Sequence, residues 1–258
     1  MPERPAKRGF TLVELLIVML IIGALIGLLV PTIGRAIRTV HSTITRRTIS
    51  GIGMGLEAYK NDFGDYPPSD DDTNYPRTGA EKLVFYLRGP QGSGWGAGAA
   101  GMLPQHVGAS RSRTRTYGPY YEADEDDIKW EEVRGDWRRV AFLDANEPPG
   151  RIIYFKAGRD RDGNTTYDWN DNNLRSAPDA QGKTNYPNQT AFEDWTVIGG
   201  HSSAADGDYK RHDYLLVSPG QDGRFGGVRR DEDGNVFVAT RQQVEDGDAA
   251  YDDITNWN

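Results

Sequence analysis

The chain has 258 residues, contains no cysteine, and is 37% hydrophobic. This composition supplies one sizeable core or two small ones, but it excludes a polytopic membrane transporter. The lack of cysteine excludes disulfide scaffolds, thiolate metal sites and cysteine nucleophiles.

The charge of the chain is divided unevenly. Residues 1–48 carry seven basic and two acidic side chains, a net charge of +5, and the remainder carries −13. An acidic body disfavours nucleic acid as a partner, because a phosphate backbone requires a basic surface. A basic, apolar N-terminus on an Asp-rich body instead predicts a membrane anchor that carries a cation-binding domain.

Residues 12–30 form an apolar segment whose one charged side chain is Glu14. At about 1.5 Å per residue, a helix of this length covers the roughly 30 Å hydrocarbon core of a bilayer. Basic residues Arg4, Lys7 and Arg8 precede the segment and favour a cytoplasmic N-terminus with the body outside. A secretory signal peptide is the alternative, but its apolar stretch is shorter and ends at a small-residue cleavage site.

The helical pattern continues beyond the apolar segment. Apolar positions recur at spacings of three or four residues, or a multiple, as on one stripe of an amphipathic helix. These positions are Ile33, Ile37, Val40, Ile44, Ile52, Leu56, Tyr59 and Phe63. Gly64, Pro67 and Pro68 then end the pattern, so one helix of about fifty residues is predicted, half in lipid and half under a globular domain. Pro31 predicts a kink, and Gly23 weakens the helix upstream of it.

The body after Pro68 is rich in turn residues and short β-like runs. The runs cover residues 137–143, 151–156, 195–198, 214–217 and 236–239. The predicted fold is therefore α+β, a long N-terminal helix packed on a small antiparallel sheet with long loops. Residues 89–101 are nearly half glycine and are interpreted as a mobile surface loop, and the acidic run 122–132 is interpreted as a solvated face.

A short motif precedes the apolar segment. Residues 7–15 read Lys-Arg-Gly-Phe-Thr-Leu-Val-Glu-Leu, with Gly9 before Phe10 and Glu14 as the fifth residue counted from Phe10. This motif resembles the processing site of the type IV pilin superfamily. The resemblance implies a pilin-like fold, and it implies that a prepilin peptidase cleaves between Gly9 and Phe10 and methylates the new amine of Phe10. The domains would then be a cytoplasmic leader at 1–9, the long helix at 10–63 and a loop-rich globular β domain at 64–258.

Glu14 has a physical role that fits this resemblance. A carboxylate one turn inside a lipid-facing helix is costly unless it meets a cation. After cleavage, the amine of a neighbouring subunit's Phe10 lies at a matching depth, so Glu14 is predicted to be an assembly residue. The alternative is that Glu14 reaches the headgroups alone, but the Gly9–Phe10 junction at this spacing favours the ion pair.

Two further segments narrow the resemblance. Similarity to the major pseudopilin of bacterial type II secretion systems extends over residues 56–67 and over residues 218–223 with 253–257. This resemblance implies a periplasmic homopolymeric filament that drives protein secretion. Its partners would be an inner-membrane assembly platform and minor pseudopilins. Before assembly, membrane lipid would surround the single-pass subunit. Pro219 replaces an expected leucine, and about two dozen residues separate 227 from 252, where the family loop is much shorter.

The same resemblance implies a structural calcium ion. In that subfamily the segment forms a calcium-binding loop, which nominates Asp222, Asp253 and the backbone carbonyl of Pro219, with Asp252 in reserve. Calcium takes six to eight oxygen ligands. The alternative is that these residues are solvated turn residues. Two Asp-x-Asp-Gly-Asn runs, at 160–164 and 231–235, lack the spacing of a calcium loop and are more typical of hairpin turns.

Other function classes have less support in the sequence. The chain contains no Gly-x-Ser-x-Gly elbow, His-Glu-x-x-His pair or dinucleotide fingerprint, so a structural subunit is predicted and not an enzyme. Two alternatives stay open. One is a type IV pilin with a role in adhesion, motility or DNA uptake, and the other is a periplasmic binding protein or enzyme that uses the helix only as an anchor.

Overall fold

The computed structural model describes part of the chain at residue level. The described residues are 12–70, 75–97, 102–104, 114–133, 135–159, 165–167, 169–172, 213–221, 225, 228–230, 236–238 and 254–256. The predicted strand at 195–198 and the Asp-Gly-Asn runs at 160–164 and 231–235 lie outside them. The fold is α+β, as predicted, with a long N-terminal helix followed by small antiparallel sheets.

The chain divides into two compact units, an N-terminal unit (Met1–Val40) and a C-terminal unit (His41–Asn258). Helix α1 (Leu12–Phe63) begins in the first unit and ends in the second. Helix α2 (Gly79–Arg88) and all described strands belong to the second unit. Two short 3-10 helices cover Glu125–Asp127 and Trp169–Asn172.

Eleven described strands form four antiparallel sheets. In chain order they are β1 Trp95–Gly96, β2 Thr116–Tyr117, β3 Ile128–Val133, β4 Asp136–Leu143, β5 Arg151–Lys156, β6 Gly158–Arg159, β7 Thr165–Thr166, β8 Tyr214–Ser218, β9 Val228–Arg230, β10 Val236–Val238 and β11 Ile254–Thr255. The central sheet has the order β11-β8-β5-β4-β3, and the pairs β1–β2, β6–β7 and β9–β10 stand apart.

Strand β5, in the middle of the central sheet, is buried on both faces. Along β5, Ile152 and Tyr154 join the cluster that contains α1, whereas Ile153 and Phe155 join a second cluster with Ala80. Side chains of a strand alternate between faces, so a strand covered on both sides is apolar throughout. This explains why the apolar runs at 151–156 and 214–217 were readable as strands.

The C-terminal part of α1 supplies one wall of the core. Its buried face consists of Thr45, Ile49, Ile52, Leu56, Tyr59 and Phe63. The predicted single stripe is wrong in its first half, because Ile33, Ile37, Val40 and Ile44 are 46–54% exposed. At about 100° per residue, Ile44 lies roughly 100° around the helix from Ile52 and Leu56. The apolar positions therefore form two stripes, and only the second consists of buried side chains.

Helix α2 was not predicted, although its capping residues are visible in the sequence. The Thr78 hydroxyl accepts a hydrogen bond from the Glu81 amide at 3.3 Å, and the Glu81 carboxylate accepts one from the Arg77 amide at 2.7 Å. These bonds satisfy amide donors at the helix start. Gly89, at φ +79°, ends the helix and donates its N–H to the Phe85 carbonyl.

The interpretations of the runs 89–101 and 122–132 need correction. In the run 89–101, Trp95 is 2% exposed, and its indole N–H donates to the Tyr86 carbonyl at 2.8 Å, so this part is a core anchor. In the run 122–132, residues 122 and 124–127 are exposed as predicted, but β3 begins at Ile128, which is buried. The predicted strand at 236–239 exists as β10, yet it pairs with β9 and not with the central sheet.

Two glycines of α1 allow a loop to approach the helix closely. A Cβ at Gly51 would lie 2.9 Å from the Tyr121 ring, and a Cβ at Gly55 would lie 2.9 Å from the Tyr120 carbonyl oxygen. Both distances are shorter than a van der Waals contact, so any larger residue would displace the loop. Tyr120 also donates a hydrogen bond from its hydroxyl to Asp62 at 2.9 Å, which fastens the loop to the end of the helix.

Replacement of Gly55 by Ala should therefore destabilise the C-terminal unit. The clash is with backbone, which cannot rotate away, so we expect a loss of about 1–3 kcal/mol in the free energy of unfolding, measured by chemical denaturation. Gly34→Ala is the matched control, because no atom lies within 4 Å of its added Cβ. Equal stability of the two variants would contradict the close approach.

Candidate assembly helix and C-terminal loop site

The N-terminal part of α1 is an exposed apolar helix. All side chains from Leu12 to Val30 are exposed in the isolated chain. Helix α1 is long and apolar enough to cross a membrane. Glu14 is exposed in the first turn of the helix, where a carboxylate interacts favourably with the helix dipole. The structure thus places Glu14 on the helix surface at the start of the apolar segment.

Two of the predicted features of this helix stay predictions. Gly9 and Phe10 lie outside the described residues, so the processing site has no described geometry. The α-helical assignment of α1 continues through Gly23 and Pro31. The kink expected at Pro31 stays a prediction.

A buried carboxylate organises the C-terminal loop site. Asp144 is 5% exposed and accepts four hydrogen bonds. The donors are the Ser218 hydroxyl at 2.6 Å, the Asn146 amide at 3.1 Å, the Asn146 side chain at 2.9 Å and the Gly150 amide at 2.7 Å. Because every donor is protein, this buried charge is compensated without solvent. Asp144 thereby ties the end of β8 to the turn between β4 and β5.

The residues after β8 are held by the same network. The Asn146 side chain donates a second hydrogen bond, to the Gly220 carbonyl at 2.9 Å, and the Gly220 amide lies 3.3 Å from the Ser218 hydroxyl oxygen, which accepts its hydrogen. Pro219 is buried between them, and its ring packs so closely on Gly150 that no Cβ fits there. The first residues of the predicted calcium loop are therefore fixed by contacts to the β4–β5 turn.

Strand β11 brings the C-terminal segment beside β8. Ile254 pairs with Ser218, and Thr255 pairs with Val217. Asn256 continues this contact, since its side-chain oxygen accepts the Leu216 amide at 2.8 Å and its own amide donates to the Leu216 carbonyl at 3.2 Å. The C-terminal segment is thus anchored to the central sheet by backbone and side-chain hydrogen bonds.

The predicted metal ligands are only partly described. Pro219 is described and buried, whereas Asp222, Asp252 and Asp253 lie outside the described residues. Within the described residues, no three acidic or histidine side chains converge as a metal site would require. The calcium site therefore stays a prediction.

The sequence analysis missed the role of Asp144. Its long-range donor, the Ser218 hydroxyl, belongs to a residue 74 positions away along the chain. The local signal was the Asp-x-Asn spacing of Asp144 and Asn146, which is typical of an Asx turn. The long-range partners become visible only once β5 and β8 are known to be neighbours.

Comparison with known proteins agrees with this architecture. Residues 4–30 match the family model of the prokaryotic N-terminal methylation motif. The chain is also 32% identical over 94 residues to the type II secretion system core protein G of Pseudomonas aeruginosa. The resemblance to the type IV pilin superfamily is confirmed. The aligned part covers 36% of this chain and 61% of that pseudopilin, and no solved structure matches the chain.

Removal of the Asp144 carboxylate should destabilise the C-terminal unit. Asp144→Ala leaves buried donors from Asn146, Gly150 and Ser218 without an acceptor, so the free energy of unfolding should fall by about 3–5 kcal/mol in a denaturant titration. Asp126→Ala removes an exposed carboxylate and should change it by less than about 0.5 kcal/mol. Similar losses in the two variants would show that Asp144 is not the organising group.

Proposed function

We propose that this chain is a pseudopilin-like structural subunit, and not an enzyme. A prepilin peptidase removes residues 1–9, and the mature subunit polymerises into a helical filament that drives protein secretion across the outer membrane. The observation that carries the proposal is the methylation motif at residues 4–30, which overlaps the exposed apolar start of α1. Such a helix requires lipid or other copies of itself to cover it.

The proposal gives the helix two environments. Before assembly it is a single-pass anchor in the bacterial inner membrane, with the N-terminus cytoplasmic and the folded unit periplasmic. During assembly the inner-membrane platform moves it from lipid into the filament, together with minor pseudopilins. Glu14 distinguishes these environments, because an intramembrane carboxylate is costly alone and is stabilised beside the methylated amine of Phe10 in a neighbouring copy.

Processing and assembly can be tested together. Co-expression with a prepilin peptidase should shorten the chain by residues 1–9 and add one methyl group, which intact-mass spectrometry detects. Glu14→Ala should keep membrane insertion but abolish filaments in electron micrographs, because the incoming amine loses its counter-ion. Glu3→Ala is the matched control, since its carboxylate leaves with the leader. An uncut chain, or normal filaments from Glu14→Ala, would contradict the proposal.

We further propose that calcium fastens the C-terminal segment. The register pairs the end of β8 with the start of β11. In the sequence, Pro219 follows Ser218 directly and Asp253 precedes Ile254 directly, and this adjacency to two paired residues supports the proposal. In a chain without cysteine, an ion held by oxygen ligands would supply the cross-link that disulfides supply elsewhere. The ligands would be Asp222, Asp253 and the Pro219 carbonyl, with Asp252 in reserve.

Chelation should therefore destabilise the protein. Removing calcium with a chelator should lower the melting temperature by roughly 5 °C or more, because a bound ion stabilises only the folded state. Asp222→Ala should melt at the lower temperature and lose its sensitivity to the chelator. Asp162→Ala, in the run interpreted as a turn, should keep the full response. A melt of the unsubstituted chain that ignores the chelator would contradict the calcium site.

A further inference from the structure

The exposed stripe of α1 has no described partner. We define it as the half-exposed side chains Ile33, Ile37, Val40 and Ile44. Their spacing of four, three and four residues is that of a seam between packed helices. Arginines 35 and 38 flank the stripe, and none of the ion pairs among the described residues involves them. The stripe is therefore an apolar seam with cationic edges.

The C-terminal unit carries a groove of about 640 Å³ beside α1. One wall is the helix surface around Ile49, Gly53 and Met54, and the other wall is formed by Tyr214 and Thr255. Gly53 adds no side chain to the floor, and Met54 is 69% exposed at the rim. Strand β11 is the edge strand of the central sheet, so this wall has no further described strand beyond it. We call this surface the α1–β11 groove.

The groove contains one buried polar group without a partner. Thr255 is 6% exposed, and its hydroxyl makes no hydrogen bond although it lines the groove. A buried hydroxyl without a partner costs free energy that a bound donor or acceptor would recover. Thr255 thus places an unsatisfied hydroxyl at the wall of the groove, where a polar group of another molecule would find a partner.

The acidic side of the groove is formed by an ordered network. The Tyr66 hydroxyl donates to Glu57 at 2.7 Å, and Lys60 lies 3.0 Å from Asp213 and donates to the Tyr66 oxygen at 3.2 Å. Burial, followed by the hydrogen bond to Glu57, raises the pKa of Tyr66 far above its ordinary value, so this hydroxyl stays a donor. The carboxylates of Glu57 and Asp213 are thus held in fixed positions at the groove.

We propose that the α1–β11 groove of one copy receives the exposed stripe of a second copy. This inference rests on the proposed filament and names the surface through which the folded unit joins it. The stripe and the groove are chemically complementary, because the apolar side chains of the stripe would contact Ile49, Met54 and Tyr214. Arg35 and Arg38 at its edges bring cationic donors to Glu57 and Asp213, and to the Thr255 hydroxyl.

The two surfaces differ, which determines the kind of assembly. A contact between unlike surfaces is heterologous, and repetition of it produces an open helical polymer when the rotation does not close a ring. Each added copy covers one stripe and fills one groove. The charge distribution supports a contact between these unlike surfaces, because the body is strongly acidic and the helix carries no acidic residue between Glu14 and Glu57.

A photo-crosslinking experiment tests the contact in the full chain. A benzophenone amino acid replaces Val40 in the middle of the stripe, and filaments are irradiated and digested for mass spectrometry. We expect cross-links to groove residues 46–57, 213–214 and 255–256 of another copy. The same probe in place of Trp137, which is 67% exposed on the β3–β4 hairpin, should not label the groove. Cross-links from position 40 mainly to stripe residues of another copy, or to lipid, would overturn the inference.

The Thr255 hydroxyl provides a second readout. Thr255→Val should melt no lower than the unsubstituted chain, because the hydroxyl has no partner in one copy, yet it should weaken self-association by about fivefold. Thr255→Ser keeps the hydroxyl and should assemble normally. Unchanged assembly of Thr255→Val would overturn this part of the contact. If the unsubstituted chain forms no filaments, the proposed function itself is contradicted. If filaments form but lack the expected cross-links, only the contact between groove and stripe is contradicted.

Discussion

The packing of the C-terminal part of α1 against the central sheet is the interaction on which the folded unit depends. Ile52, Leu56 and Tyr59 are fully buried, and they meet Ile152, Tyr154 and Leu216 from the sheet in one cluster. Gly51 and Gly55 then let the loop of Tyr120 and Tyr121 approach the same helix. Burial of this much apolar surface dominates the stability of a domain that has no disulfides.

This packing also determines what remains uncovered. From Thr45 onward one face of the helix is buried, and the apolar residues upstream of Thr45 are exposed in a single copy. A helix that is apolar but unburied is stable only in lipid or against other helices. Under the proposed function, one apolar stripe of α1 serves folding and the other serves assembly. The match to the prokaryotic N-terminal methylation motif, at residues 4–30, reaches into the exposed part of the helix.

Sequence reasoning predicted the elements whose signal is local. Strands β5 and β8 were readable because each contains a continuous apolar run, β4 was readable from its apolar second half, and α1 was readable from its periodicity. Strand β3 was missed because its charged residues hide the alternation, and α2 because buried Glu81 and Lys82 disguise its apolar face. The roles of Asp144 and Trp95 depend on partners that lie far away along the chain or at a spacing that follows no helix or strand period. Single-sequence patterns do not encode such partners.

The separate roles of the two parts of α1 are tested most directly on a fragment that starts at His41, where the second unit begins. This fragment keeps the whole buried face of the helix and loses the apolar segment with most of the exposed stripe. Sedimentation equilibrium, combined with thermal melting followed by circular dichroism, should show a folded monomer with one cooperative transition. An unfolded fragment, or one that polymerises without residues 1–40, would contradict the account.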